Sequence, residues 1–170
     1  AGADLTMFTG LDAESAIATS EQGQRLMDKI EASPKPFVAA IHGFCLGGGL
    51  EFALACDFRI AAESASLGSP EINLGIIPGW GGTQRLPRLI GLAKAKELVL
   101  LGDRISPDDA FKLGLVHKVV PLDKLYEEAE ALCERLAAGP PIAIRVAKKA
   151  MTEGSDSSLN EGLEMEAQSF

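Results

Sequence analysis

Two glutamates, Glu51 and Glu71, stand beside glycine-rich turns and are the residues of this sequence best suited to chemistry. Glu51 follows three consecutive glycines at positions 47–49, and Glu71 lies in a segment rich in glycine and proline at positions 68–82. Glycines let a backbone pass close to a ligand, and the free N–H groups at a helix start are hydrogen-bond donors. The pattern predicts a place that binds an anion, or an oxygen that becomes one during a reaction.

The glycine cluster matches neither of the common phosphate-binding motifs. A phosphate loop ends in Gly-Lys-Ser/Thr and a dinucleotide fingerprint has G-x-G-x-x-G spacing, and this segment has neither. A purely structural interpretation stays open at this point. In it, the glycines only join a strand to a helix, and the helix dipole favours Glu51 by roughly 0.3–1 kcal/mol.

Short elements must hold these glutamates in place. The apolar run at residues 37–41 predicts a buried strand, and residues 48–56 predict a mostly buried helix with Glu51 in its first turn. Residues 58–62 predict a second strand, followed by a turn at 63–66. Further helices are predicted at residues 12–32, 83–86, 94–101, 107–113, 123–138, 142–151 and 159–168, with a strand at 115–120.

Several motifs, in order along the chain, resemble those of the enoyl-CoA hydratase/isomerase (crotonase) family. They are Ala1-Gly2-Ala3-Asp4-Leu5, residues 42–57, residues 69–85 with their Pro-Gly-x-Gly-Gly-Thr-Gln-Arg run, residues 101–106 and residues 114–116. The resemblance continues to about residue 168. It implies a crotonase-like α/β fold, which is a spiral of ββα units followed by C-terminal helices.

The resemblance also implies roles for individual residues. Backbone N–H groups of Ala3 and Gly48 are expected to form an oxyanion hole for the thioester carbonyl of an acyl-CoA. Glu51 and Glu71 match the two glutamates with which hydratases hold and activate water, and we favour Glu71 as the protonated acid. Further contacts with the substrate or its CoA are expected from Ala1, Gly2, Asp4, Leu5, Gly47, Pro70, Pro78 and Gly79.

The implied reaction is hydration of a trans-2-enoyl-CoA to a 3-hydroxyacyl-CoA, in the breakdown of fatty acids or related acyl-CoAs. An enoyl-CoA isomerase or another CoA-thioester lyase of the family is the alternative, and a non-catalytic CoA- or RNA-binding relative is a more remote one. Neither a metal nor a redox cofactor is expected, since CoA is part of the substrate.

The family likeness divides the chain at about residue 120. Residues 1–120 correspond to the central part of the catalytic core, without the strands that precede it in the family. Residues 121–170 correspond to an incomplete C-terminal helical region through which relatives form homotrimers, or hexamers made of two trimers.

The composition of the chain argues against some classes of binding partner. A net charge of −8, from 24 acidic and 16 basic residues, argues against a nucleic-acid surface. No run of eighteen apolar residues predicts a membrane span. The expected location is the cytoplasm if the protein is bacterial, with the mitochondrial matrix as the eukaryotic possibility.

Other reactive side chains are given structural roles. Cys45, Cys56 and Cys133 lack metal-site spacing and are predicted to fill the core. His117 is predicted to be an exposed strand residue, and His42 a structural hydrogen-bonding residue. Trp80, beside the second glutamate motif, is predicted either to narrow the acyl pocket or simply to pack.

Overall fold

The computed structural model of the chain describes residues 2–170. Its helices are α1 (Ala13–Glu31), α2 (Gly48–Ala55), α3 (Gly82–Ile90), α4 (Leu92–Leu101), α5 (Pro107–Lys112), α6 (Leu125–Ala137), α7 (Pro141–Ser155) and α8 (Leu159–Ser169). Its strands are β1 (Val38–Ile41), β2 (Phe44–Leu46), β3 (Phe58–Ala62), β4 (Ser66–Gly68), β5 (Arg104–Ile105) and β6 (Lys118–Val120). Short 3₁₀ helices cover Leu5–Phe8, Pro70–Leu74 and Leu122–Lys124.

The strands form two small sheets. The first has the order β1-β3-β6 and is parallel throughout, while the second has the order β2-β4-β5. In the second sheet β2 and β4 are parallel, and β5 is antiparallel to β4. From β1 to β4 the chain alternates between the two sheets, so β1, β2 and α2 form one ββα unit, and β3 and β4 begin the next.

This topology brings the two glutamates to one edge of the second sheet. Leu46, the last residue of β2, pairs with Gly68, the last residue of β4. Glu51 follows the first of these strand ends in α2, and Glu71 follows the second in its 3₁₀ helix. Because the carboxyl ends of adjacent parallel strands lie together, two residues far apart in the sequence become neighbours.

The largest hydrophobic cluster surrounds α2. Its fully buried members include Leu50 of α2, Leu67 of β4, Leu86 of α3 and Leu115. A second cluster joins α1 to the other side of α2 through Met27, Ile30, Ala55 and Cys56. Helix α2 is therefore held from two sides, which fixes the position of its first turn.

The C-terminal helices differ in how they attach. Helix α6 packs on β1 and β3, with Leu125 and Ala129 in the core beneath it. Helices α7 and α8 pack mainly against each other. Lys148 of α7 is buried, and its Nζ donates to Asp57 Oδ2 (2.8 Å) and to two backbone carbonyls, those of Ile30 and Lys35.

The predicted helices are present, with bounds shifted by a few residues, but the strand prediction was incomplete. Strands β2, β4 and β5 were not predicted, and β4 begins within the predicted turn at 63–66. The predicted strand at 115–120 is formed only from Lys118. Leu115 and Val116 instead donate their N–H groups to Ala110 O, in the turn that follows α5.

Two further sequence predictions can be compared with the structure. Cys45 and Cys56 are buried as predicted, but Cys133 is exposed on α6, so its prediction as a core residue was wrong. His117 is exposed as predicted, although it precedes β6 rather than lying in it.

Among the helices within residues 2–170, none combines the length and apolar character needed to span a membrane.

Candidate active site

Glu51 lies in the first turn of α2, and the turn before it depends on a glycine. Gly47 has φ +55° and ψ −124°, a conformation that L side chains rarely adopt. Its N–H donates to Gly68 O (3.0 Å), which ties the start of α2 to the end of β4. The chain therefore enters α2 at a fixed angle that turns Glu51 toward the second glutamate motif.

The carboxylate of Glu51 is held by backbone donors from a distant segment. The residue is 3% exposed, and its Oε1 accepts from Trp80 N (2.7 Å) and Gly82 N (2.8 Å). Burial raises the pKa of Glu51, whereas these two hydrogen bonds and the positive charge of Arg85 lower it. Glu51 Oε1 is thus fixed in position, and the two N–H groups stabilise the charged form of Glu51.

Glu71 is buried without such support. It is 9% exposed, and within residues 2–170 neither of its side-chain oxygens has a hydrogen-bond partner. Burial raises the pKa of Glu71, its own backbone N–H lowers it, and the negative charge of Glu51 raises it further. Of the two carboxyls, only Glu51 accepts hydrogen bonds from other described residues that support its charged form.

The second motif folds locally for reasons visible in its sequence. Pro70 occupies the first turn of the 3₁₀ helix, and Gly75 ends it in the left-handed conformation with φ +74°. Ser69 precedes the helix, and its buried hydroxyl is also without a partner among the described residues. Within residues 2–170, two buried polar side chains without a hydrogen-bond partner, Ser69 and Glu71, thus follow the end of β4 within three residues.

The two N–H groups predicted to form an oxyanion hole lie on two pieces of backbone in close contact. A Cβ placed on Gly48 would stand 3.4 Å from Ala3 N, and one placed on Gly2 would stand 3.3 Å from Gly48 N. Gly48 begins α2, so its N–H has no partner within the helix. The N–H groups of Ala3 and Gly48 thus belong to neighbouring backbone segments, and no side chain separates them at Gly2 or Gly48.

These groups share one cavity of about 940 Å³, with a predominantly apolar lining. The predicted site residues that line it are Gly2, Ala3, Leu5, Gly47, Gly48, Glu51, Pro70, Glu71 and Gly79. Asp4 and Pro78 are not among its described lining residues. Asp4 instead caps the first 3₁₀ helix by accepting from Thr6 N (3.0 Å), and Ala1 lies outside the described residues.

The structure adds two arginines that the sequence analysis did not assign. Arg59 is buried, and its guanidinium donates to Ala53 O and Cys56 O at the C-terminal end of α2. It also donates to Leu115 O. Arg85 reaches from α3 to α1. Its place in the Gly-Gly-Thr-Gln-Arg run was a possible signal, but its partners are too distant in the sequence to be identified.

Arg85 supports the loop that holds Glu51. Its Nη2 donates to Asp28 Oδ1 (2.7 Å) and Glu31 Oε2 (2.8 Å), and its Nη1 donates to Trp80 O (3.3 Å). The same loop is fixed to α1 by Ser20 Oγ, which donates to Gly79 O (2.5 Å). The donors to Glu51 are therefore themselves held in position.

The remaining candidate groups are less centrally placed. His42 Nε2 lies 3.3 Å from Tyr126 Oη on the surface, which agrees with a structural hydrogen-bonding role. Within residues 2–170 no cluster of three or more His, Cys, Asp or Glu side chains has a metal-binding arrangement.

Comparisons with known proteins agree along the whole chain. A family model described as enoyl-CoA hydratase/isomerase matches residues 1–170. A crotonyl-CoA hydratase of Syntrophomonas wolfei is 45% identical over 170 residues, and a short-chain-enoyl-CoA hydratase of Clostridium acetobutylicum is 37% identical over 170 residues. Each alignment covers 100% of this chain and 65% of the relative, so the chain spans just under two thirds of their length.

The solved structures give the same result for the fold. The crystal structure of an enoyl-CoA hydratase from Bacillus anthracis superposes with a TM-score of 0.94 at 51% sequence identity, covering 99% of this chain and 66% of that one. An enoyl-CoA hydratase from Geobacillus kaustophilus superposes with a TM-score of 0.96 at 35% identity. The predicted crotonase-like α/β fold is confirmed.

Proposed function

The chain belongs to the enoyl-CoA hydratase/isomerase family, and from this premise we propose that the protein adds water reversibly across the 2,3 double bond of a trans-2-enoyl-CoA to give a 3-hydroxyacyl-CoA. The observation that carries the proposal is the pair of buried glutamates in one cavity. Glu51 is held by two backbone donors, and Glu71 has no hydrogen-bond partner among the described residues. Hydration needs a base and an acid at the same time, and this pair supplies both.

The base activates water. Glu51, as a carboxylate, takes a proton from the water molecule whose oxygen bonds to C3 of the enoyl group. The N–H groups of Trp80 and Gly82 fix Oε1, which leaves Oε2 for the water. A positioned base or acid of this kind contributes about 10²–10⁴ in rate.

The oxyanion hole receives the electrons that the water displaces. As the C3–O bond forms, the electron pair of the double bond moves through C2 onto the thioester oxygen. The N–H groups of Ala3 and Gly48 donate to that oxygen, and removal of one such donor costs about 10²–10³ in rate in comparable sites. These two hydrogen bonds stabilise the negative charge of the enolate that is formed.

The acid completes the addition. Protonated Glu71 delivers its proton to C2, the thioester carbonyl is restored, and the product carries hydroxyl at C3 and hydrogen at C2. After the addition Glu51 carries the proton taken from water and Glu71 is ionised, so one proton passes from Glu51 to Glu71 before the next turnover. The two carboxyls interact, so they titrate as a coupled pair. The reverse reaction uses the same groups with their roles exchanged.

The proposal extends to assembly and location. The proposed homotrimer or hexamer would cover exposed apolar side chains of α7 and α8. These side chains are Ile142, Met151, Leu159 and Leu163. A cytoplasmic location is proposed by analogy with the bacterial relatives. The expectation that only the CoA of the substrate is needed, without a metal or redox cofactor, remains a prediction.

The decisive test follows the conjugated-enoyl absorbance of crotonyl-CoA in the presence of the full-length protein. Rapid loss of absorbance is expected, and Glu51→Gln and Glu71→Gln should each slow it by about 10²–10⁴. Glu63→Gln is the matched control, because Glu63 is an exposed carboxyl in the turn between β3 and β4 and does not line the cavity.

The outcomes separate the candidate reactions. Near-wild-type turnover in either cavity variant would remove that glutamate from the mechanism. No loss of absorbance in the wild type, with acetoacetyl-CoA still binding, would favour an isomerase or another thioester reaction over hydration.

A further inference from the structure

The indole of Trp80 is wedged between two glycines on different helices. A Cβ on Gly48 would stand 2.6 Å from Cζ3 and 2.9 Å from Cε3 of the ring, and a Cβ on Gly23 would overlap Cδ1 and Cγ. The benzene edge therefore lies on the start of α2, and the pyrrole edge lies on α1. Both positions lack a side chain where the ring needs space.

Gly23 has no local reason to be a glycine. It lies in the interior of α1, where glycine costs roughly 0.5–1 kcal/mol relative to alanine, and it is buried. Contact with the indole supplies the reason, because any side chain at this position would displace the ring. The glycine and the tryptophan form one packing unit.

The backbone beneath the ring is fixed on several sides. Trp80 N donates to Glu51 Oε1 (2.7 Å), and Trp80 O accepts from Arg85 Nη1 (3.3 Å). The preceding carbonyl, Gly79 O, accepts from Ser20 Oγ and from Gln24 Nε2 (3.0 Å). With its backbone held and both ring edges in contact with helices, the indole cannot swing aside as a flexible side chain would.

The ring also borders the place where the acyl group must lie. Trp80 lines the 940 Å³ cavity together with Gly48 and Glu51. The thioester carbonyl is expected at the N–H of Gly48, and C3 must reach Glu51. The acyl carbons beyond C3 therefore extend from a point directly beside the indole.

We propose that Trp80, seated on Gly23 and Gly48, is the end wall of the acyl pocket and restricts the substrate to short 2-enoyl thioesters. The inference rests on the proposed function and specifies its substrate class.

The test compares chain lengths. In the full-length wild type, kcat/KM for crotonyl-CoA should exceed that for trans-2-decenoyl-CoA. In Trp80→Ala the ratio of the decenoyl to the crotonyl value should rise at least about tenfold, since a single methylene in an apolar pocket is worth roughly 10–200-fold in discrimination. Trp80→Phe, which keeps an aromatic ring, should give a smaller rise.

A matched control tests whether the loss of any aromatic side chain near the cavity changes the chain-length ratio. Phe52 is an aromatic residue of α2 that is 44% exposed and is not among the described residues that line the cavity. Phe52→Ala should leave the chain-length ratio unchanged. If Trp80→Ala does not fold, the inference is tested by Trp80→Leu and by the ratio of the decenoyl to the crotonyl kcat/KM in the wild type.

Several results would overturn the inference. They are a wild type that hydrates both substrates equally well, an unchanged ratio in folded Trp80→Ala, or an equal rise in Phe52→Ala. If the wild type hydrates neither substrate, the proposed function fails separately. The wall is then tested by calorimetric binding of butyryl-CoA and decanoyl-CoA, where Trp80→Ala should gain affinity only for the longer chain.

Discussion

Glu51 and Glu71 are identical side chains on the wall of one cavity, yet the protein treats them in opposite ways. Glu51 stands on a helix held by two hydrophobic clusters, and its Oε1 accepts two backbone hydrogen bonds. Glu71 stands on a single 3₁₀ turn, and neither of its oxygens has a partner within the described residues. The roles proposed for the two glutamates therefore rest on their surroundings rather than on the residue type.

This contrast is the reason for proposing that one carboxyl acts as base and the other as acid at the same pH. A carboxylate that accepts N–H hydrogen bonds keeps its charge more easily, whereas an unpartnered carboxyl beside a negative charge keeps its proton. Exchanging the surroundings would exchange the roles. The following predictions test whether the support around Glu51 and its absence around Glu71 have these consequences.

Among variants that leave both glutamates in place, the largest effect is expected from removing the support of Glu51. Arg85 is 16% exposed at its side chain and connects Trp80 O to Asp28 and Glu31 of α1. Arg85→Gln should lower kcat by about tenfold to hundredfold, because the loop that donates to Glu51 loses its position. It should also move the acid limb of the kcat/KM profile to higher pH, since the charge of Arg85 lowers the pKa of Glu51.

Two companion variants distinguish charge from geometry. Arg85→Lys keeps the positive charge but not the forked geometry, so the acid limb should stay in place while kcat still falls. Arg88→Gln removes an exposed arginine of the same helix and should change neither quantity. An acid limb that moves equally in the glutamine and lysine variants would contradict the electrostatic part of the explanation.

A moderate effect on stability is expected at Glu71. Glu71→Gln should raise the free energy of unfolding at about pH 8 by about 0.5–2 kcal/mol, because it removes a buried carboxylate that has no hydrogen-bond partner among residues 2–170. Glu51→Gln should change it less, since the amide oxygen still accepts from both N–H groups while the charge-assisted part of those bonds is lost. Urea unfolding of both variants measures the difference.

The sign of this effect depends on pH. Burial raises the pKa of Glu71 in the folded protein, so the folded state loses stability as pH rises through that raised value. Below the pKa of the unfolded chain, both states carry the proton, and the gain from Glu71→Gln should disappear. A gain that persists unchanged at about pH 4 would have another origin.

The smallest effect is a shift in the titration of Glu71. Because the negative charge of Glu51 raises the pKa of Glu71, Glu51→Gln should lower that pKa, while burial continues to raise it. The alkaline limb of the residual activity should therefore move to lower pH. Glu63→Gln, at an exposed position, should leave the limb in place, and a shift to higher pH in Glu51→Gln would refute the coupling.

Short-range patterns in the sequence were enough to locate both glutamates. Three glycines followed by an apolar run indicate the start of α2, which places Glu51 in its first turn. The family motifs then identify Glu71. What they could not indicate is the difference between the two, because the donors to Glu51 are backbone N–H groups 29 and 31 residues away, which leave no side-chain signature.

The strands that bring the glutamates together were also hidden. Strands β2 and β4 are three residues long, too short for an alternating pattern to develop, and β4 ends in a glycine. Their pairing is a property of the whole fold, in which Leu67 of β4 packs in the same core as Leu50 of α2. Sequence reasoning therefore succeeded where the signal is local and missed elements whose stability is tertiary.

The segment from Gly79 to Gly82 contributes to the cavity in two separate ways. Its backbone N–H groups hold the carboxyl of Glu51, while the side chain of Trp80 lines the cavity. A substitution at position 80 would therefore change the lining and leave the donors in place, whereas an insertion or deletion here would displace the donors to Glu51.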